Sequence, residues 1–207
     1  MSDSTAPFRV LFVCTGNICR SRIAEQVFRA RFGDAAGPGA IEFSSAGTYA
    51  MVGSEMPDQA VGVAEWLGGT ADGHRSQQLE APLIERADLV IALTREHRSE
   101  IARKVPRASR YTFTLREAAR LIESLSTDEL ATFPAADLTI TDRLRAYVPL
   151  VAMQRSLVAR PENPEEDDVI DPYRRSQTIY DQTGEQIRDA TNRIVSAVTV
   201  LTAAAPR

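Results

Sequence analysis

The chain has two cysteines and two histidines in 207 residues. Both cysteines, Cys14 and Cys19, sit five positions apart, so no disulfide framework of a secreted fold is present. Cys14, Cys19, His74 and His97 are the cysteine and histidine ligands a zinc ion could use, and no pair among them has finger-like spacing, which sets zinc aside. No apolar run approaches the ~20 residues of a membrane span, so no membrane insertion is expected. Residues 1–7 lack the basic and apolar regions of a signal peptide, and the expected location is cytoplasmic. With a net charge of −4 and no long basic block, no nucleic-acid partner is expected.

What is present is ordinary in bulk and pointed in one place. Hydrophobic residues make up 43% and charged residues 25%, as in a globular protein with one well-filled core. Apolar runs at 8–13, 41–45, 89–93 and 110–114 read as strands. Helical spacing covers 21–32, 56–67, 82–86, 94–104, 115–124 and 176–201, with stops at Gly33 and Gly68-Gly69 and a turn at Gly37-Pro38-Gly39. Thr94 is placed to cap the fourth of these helices. The last should bury Ile179, Ile187, Ile194, Val198 and Leu201, and Trp66 is read as core. Alternating strands and helices imply an α/β fold with a parallel sheet covered on both faces. In such folds ligands bind beyond the carboxyl ends of the strands.

Just there, after the first strand, stand Cys14-Thr15-Gly16-Asn17-Ile18-Cys19-Arg20-Ser21. Backbone N–H groups between a strand and a helix N-terminus can cradle an anion. Arg20 can grip two phosphate oxygens with its planar fork. A thiol at Cys14, in that positive field, is set up as a nucleophile. Such a nucleophile needs a proton donor for its leaving group. Asp171-Pro172-Tyr173 offers a carboxylate on a stiffened loop, with a ring beside it to stack on an aromatic substrate.

These segments, with Ser44-Ser45-Ala46-Gly47-Thr48 and His74-Arg75-Ser76-Gln77-Gln78-Leu79, resemble the motifs of low-molecular-weight protein-tyrosine phosphatases, in the same order. The resemblance covers about 8–120 and 169–200. It implies a three-layer fold around a four-stranded parallel sheet, and hydrolysis of phosphotyrosine through a cysteinyl-phosphate. Cys14 would be the nucleophile, Arg20 the phosphate ligand and transition-state stabiliser, and Asp171 the general acid and then base. Thr15, Gly16, Asn17, Ile18 and Cys19 would complete the phosphate loop. Ser21 would hydrogen-bond the Cys14 sulfur; Ser45 and His74 would help Asn17 hold the loop. Cys19 would be a partner for reversible oxidation of Cys14. Tyr49 and Tyr173 would line the pocket. No cofactor or metal is called for. The partner would be a phosphotyrosine protein, with a bacterial tyrosine kinase of polysaccharide export as one candidate.

The sequence departs from the family in three places. Arg22 stands where proline usually follows the loop serine, and Arg174 where many members carry a second aromatic, favouring an acidic or phosphorylated substrate neighbourhood. Residues 125–168 read as an expanded insertion, with an amphipathic helix at 139–157 whose stripe is Leu144, Val148, Val151 and Ala152, expected to pack and not to act as a lid. Residues 1–7 are expected to form a flexible N-terminus and 8–203 one domain. His97 is read as a solvated helix residue. Protein-arginine phosphatase is the alternative within the family; that subgroup tends to carry threonine where Ile18 stands. Arsenate reductase of the same fold relays electrons through later cysteines, and none follows Cys19.

Overall fold

The computed structural model describes residues 6–32, 39–71, 73–125 and 138–203, without the side chains of the last four. Four strands, β1 (Phe8–Cys14), β2 (Ile41–Gly47), β3 (Leu89–Ala92) and β4 (Thr112–Thr114), form one parallel sheet in the order β2-β1-β3-β4. β1 lies inside the sheet, which explains its unbroken apolar run. Its residues still alternate. Phe8, Val10, Phe12 and Cys14 join one core cluster, and Leu11 and Val13 join the other. The first cluster is covered by α1 (Arg20–Phe32), α5 (Leu115–Ile122) and α7 (Gln177–Ala203). The second is covered by α3 (Ala81–Arg86) and α4 (Arg95–Lys104). The result is the expected three layers.

Phe12 is fully buried, with the Phe28 ring 4.9 Å away and Phe43 at 6.4 Å. Burying a side chain of that size is worth about 2–3 kcal/mol. This cluster ties β1 to α1 and so fixes the loop between them. α5 begins with a capping box: Thr114 Oγ1 accepts from Glu117 N, and Glu117 accepts from Thr114 N.

The predicted elements need several corrections. Trp66 ends α2 (Asp58–Trp66) and is 54% exposed, because the stripe of that helix runs through Ala60, Val63, Ala64 and Leu67. Arg188 covers its ring at 5.3 Å. At the start of α7 Tyr180, not Ile179, is the buried residue; the Leu201 side chain, Gly33 and the turn residues 37 and 38 fall outside what is described. Within the stretch expected to be expanded, α6 (Ile140–Met153) is capped by Thr139 and packs Leu144 and Val151 into the first cluster, with Tyr147 also buried. A 3-10 turn, Gln154–Ser156, follows. Arg155 from it donates to Thr112 O at 2.6 Å and lies 4.3 Å over the Phe113 ring. It thereby covers the edge strand β4. Among the described residues no helix is long and apolar enough to cross a membrane.

Candidate active site

The loop between β1 and α1 is held from outside by its carbonyl groups. Cys14 O accepts from Thr48 N, Thr15 O from Tyr49 N, and Gly16 O from Met51 N and Ser76 Oγ. Asn17 O accepts from His74 Nε2 at 2.6 Å. In a trans peptide the C=O of one residue and the N–H of the next point opposite ways. Four outward carbonyls therefore turn the N–H groups of Thr15, Gly16, Asn17 and Ile18 inward, as an anion-binding nest. Gly47 is what lets the neighbouring strand come so close: a Cβ there would collide with Thr15 O and stand 3.0 Å from Ala50 Cα.

Asn17 sits at φ 56°, the left-handed region that asparagine tolerates better than most residues. Both ends of its side-chain amide are bonded. Nδ2 donates to Ser21 Oγ at 3.0 Å, and Oδ1 accepts from Gln77 N at 3.0 Å. Since Ser21 Oγ accepts from Asn17, its own proton is free to point at Cys14 Sγ, 3.0 Å away. Because a carbonyl only accepts, His74 carries its proton on Nε2. Burial pushes the His74 pKa down, partly opposed by its bond to Asn17 O.

Arg20 is buried, 5% exposed, and lines the hollow at the loop. It donates to Val169 O and Thr15 Oγ1 and pairs with Asp171 Oδ2 at 2.9 Å. Asp171 comes from the far end of the chain, and its segment is pinned on three sides. Val169 N donates to Leu93 O, Ile170 N to Gln186 Oε1, and Thr183 Oγ1 to Ile170 O. Asp171 Oδ1 accepts from Tyr173 N, which leaves Oδ2 to face the loop. Cys14, Arg20, Asp171, Ile18, Tyr49, Met51 and Tyr173 line one hollow of about 220 Å³. Tyr49 stands at its rim, 83% exposed. Arg174 lies 5.1 Å over the Tyr173 ring, itself at φ 58°.

Three placements differ from expectation or went unforeseen. Ser45 does not reach Asn17. Its hydroxyl donates to Glu25 at 2.7 Å, and its carbonyl accepts from Gln77 Nε2, so it acts on the loop only through Gln77. Arg22, in the usual proline position, pairs with the same buried Glu25 at 2.7 Å. His97 is not solvated. It is 3% exposed, with Nδ1 2.9 Å from Thr94 Oγ1 and Nε2 2.9 Å from Thr15 Oγ1. Burial, then the nearby Arg20 charge, push its pKa down to about 3, so the ring is neutral. The signal that could have found it is local: a histidine three residues after the cap of a helix that starts at the carboxyl end of a strand. Cys19 lines the same hollow as Cys14, with its Sγ 3.9 Å from Tyr180 Oη, and burial pushes its pKa up to about 12. Among the described residues no three His, Cys, Asp or Glu side chains gather as a metal site.

Residues 9–129 match the family described as low molecular weight phosphotyrosine protein phosphatase; that match ends short of Asp171. A low molecular weight protein-tyrosine-phosphatase of Streptomyces coelicolor is 31% identical over 191 residues, 92% of this chain and 93% of that one. A protein-arginine-phosphatase of Geobacillus stearothermophilus is 40% identical over 111 residues, 54% of this chain and 71% of that one. The crystal structure of a low molecular weight protein tyrosine phosphatase from T. tengcongensis superimposes with a TM-score of 0.62 at 26% identity, over 91% of this chain and 98% of that one.

Proposed function

The chain belongs to the low molecular weight phosphotyrosine protein phosphatase family, and we propose that it hydrolyses phosphotyrosine in proteins through a phosphorylated Cys14. The observation that carries this is the convergence of Cys14, Arg20 and Asp171 on one hollow walled by Tyr49 and Tyr173. A phosphate entering the loop meets the inward amides and draws the Arg20 fork away from Asp171. The Cys14 thiolate attacks phosphorus in line as the bond to the tyrosine oxygen breaks. Asp171, freed from the cation, takes up a proton from solvent and gives it to that oxygen. Water then attacks the phosphocysteine, Asp171 takes its proton, and the P–S bond breaks. The Ser21 proton steadies the returning thiolate. Arg20 and the loop amides hold the charge that spreads over the equatorial oxygens.

A second reading, hydrolysis of phosphoarginine, is favoured by one observation, the similarity to a protein-arginine-phosphatase. Against it stands Ile18, buried and lining the hollow with an apolar side chain suited to an aryl group. Measured kcat/KM on matched phosphotyrosine and phosphoarginine peptides separates the two. A preference for phosphoarginine would reverse the assignment. We take 8–203 as one catalytic domain with an insertion at 125–168, working in the cytoplasm, where its thiol stays reduced. Its substrate is a phosphotyrosine protein, for which a bacterial tyrosine kinase is a candidate. Cys14→Ser should abolish p-nitrophenyl phosphate hydrolysis and trap that substrate; unchanged turnover refutes the nucleophile.

A further inference from the structure

His97 is a buried, neutral ring tied on one side to the cap of α4 and on the other to the phosphate loop. A neutral imidazole carries one N–H, so two arrangements exist. With the proton on Nδ1, Nε2 takes the Thr15 hydroxyl proton, and Thr15 has none left for a ligand. With the proton on Nε2, Thr15 Oγ1 accepts from His97 at 2.9 Å and from Arg20 at 3.4 Å. Both lone pairs are then filled, and the hydroxyl proton must point away from them. Thr15 is exposed and lines the hollow. The second arrangement also gives the Thr94 hydroxyl proton a partner: Thr94 Oγ1 accepts from His97 N and donates to Nδ1.

We propose that His97 is a positioning residue which, in its Nε2–H form, turns the Thr15 hydroxyl proton into the phosphate hollow. Thr15 thereby becomes a side-chain phosphate donor beside Arg20 and the loop amides. The inference rests on the phosphatase reading. An oxyanion in the loop selects this tautomer, because only it adds a charge-assisted hydrogen bond to the ligand.

The test is inhibition by inorganic phosphate, measured with p-nitrophenyl phosphate turnover. Thr15→Val, at an exposed position, should weaken phosphate binding roughly tenfold, the worth of one hydrogen bond to a charged group. His97→Phe should cost about the same, and the double variant no more than either alone, because both remove one donor. His97→Gln, whose amide N–H can stand in for Nε2–H, should recover most of the affinity. Nitrogen NMR of the phosphate-bound protein should show His97 Nδ1 unprotonated. Full phosphate affinity in Thr15→Val, or a protonated Nδ1, overturns the proposal while leaving the phosphatase reading intact. Wild-type protein that neither binds phosphate nor turns over an aryl phosphate overturns both.

Discussion

Acidification between about pH 7.5 and pH 5 should destabilise this protein through its two histidines. Carboxylates titrate mostly below that window. An unfolded imidazole gains its proton near the ordinary value of 6.5, whereas folded His97 holds off until about 3. Between those values the unfolded chain binds a proton that the folded chain refuses, so stability is full above about pH 6.5 and drains as pH falls. Each pH unit below 6.5 costs about 1.4 kcal/mol, so His97 alone removes about 2 kcal/mol by pH 5. His74 is shifted the same way by burial and adds to the loss. Against a typical total of about 5–15 kcal/mol this is a large change. Urea titrations across the window should show the midpoint falling with pH at constant slope. His97→Gln, which does not titrate, should flatten the pH dependence of that midpoint. A wild-type midpoint equal at both ends of the window, or a variant that falls as steeply, would refute a buried neutral His97.

Four further perturbations follow from named contacts. Gly47→Ala pushes against Thr15 O, and overpacking of this kind costs about 1–3 kcal/mol; phosphate affinity should drop along with melting temperature, and a loss of stability with intact affinity would detach Gly47 from the loop. Asp171→Asn should slow phenyl phosphates with poor leaving groups by about 10²–10⁴ and those with good ones far less, read from single-substrate kinetics; equal losses would remove it from the acid role. With Cys19 raised to about 12, closure of a Cys14 sulfenic acid onto it should be slow near neutrality and quicken with pH; a pH-independent rate by quenched mass spectrometry counts against it. Arg155→Met breaks the bonds to Thr112 O and Glu117 and should cost on the order of 2 kcal/mol, seen as a lower melting temperature with unchanged kcat/KM.

How far these features can be read without coordinates depends on how local their causes are. The order of strands and helices was legible because period and apolar runs are properties of a few consecutive residues. β1 and β3 stand within a residue of where their apolar runs placed them, since both lie inside the sheet and have no polar face to blur the pattern. β4 came out shorter than 110–114, because Pro106–Arg110 closes as a 3-10 turn. Trp66 went wrong for a different reason. Its type suggests core, but its angular place on α2 puts it beside the stripe, where Gly184 and Arg188 of α7 leave it a shallow seat. A single residue's type is a weaker guide than its phase on the helix.

The same distinction divides the site. The groups that would touch an anion lie within eight residues, Cys14 to Ser21, and could be read at once. The groups that shape the loop come from Gly47, His74, Ser76, Gln77 and His97, which share no local pattern with it. They act through carbonyls and one hydroxyl, groups every loop possesses, so the loop's own sequence does not announce them. What brings them there is topology. β2 and β3 flank β1 in parallel, and their carboxyl ends must open beside Cys14. The segments leaving those ends, 48–51 after β2 and 94–97 after β3, are therefore the first chain available to satisfy the loop's outward oxygens. The strand order thus sets the start of α4 beside the phosphate loop, where the ring of His97, three residues past the cap, bonds both Thr94 and Thr15.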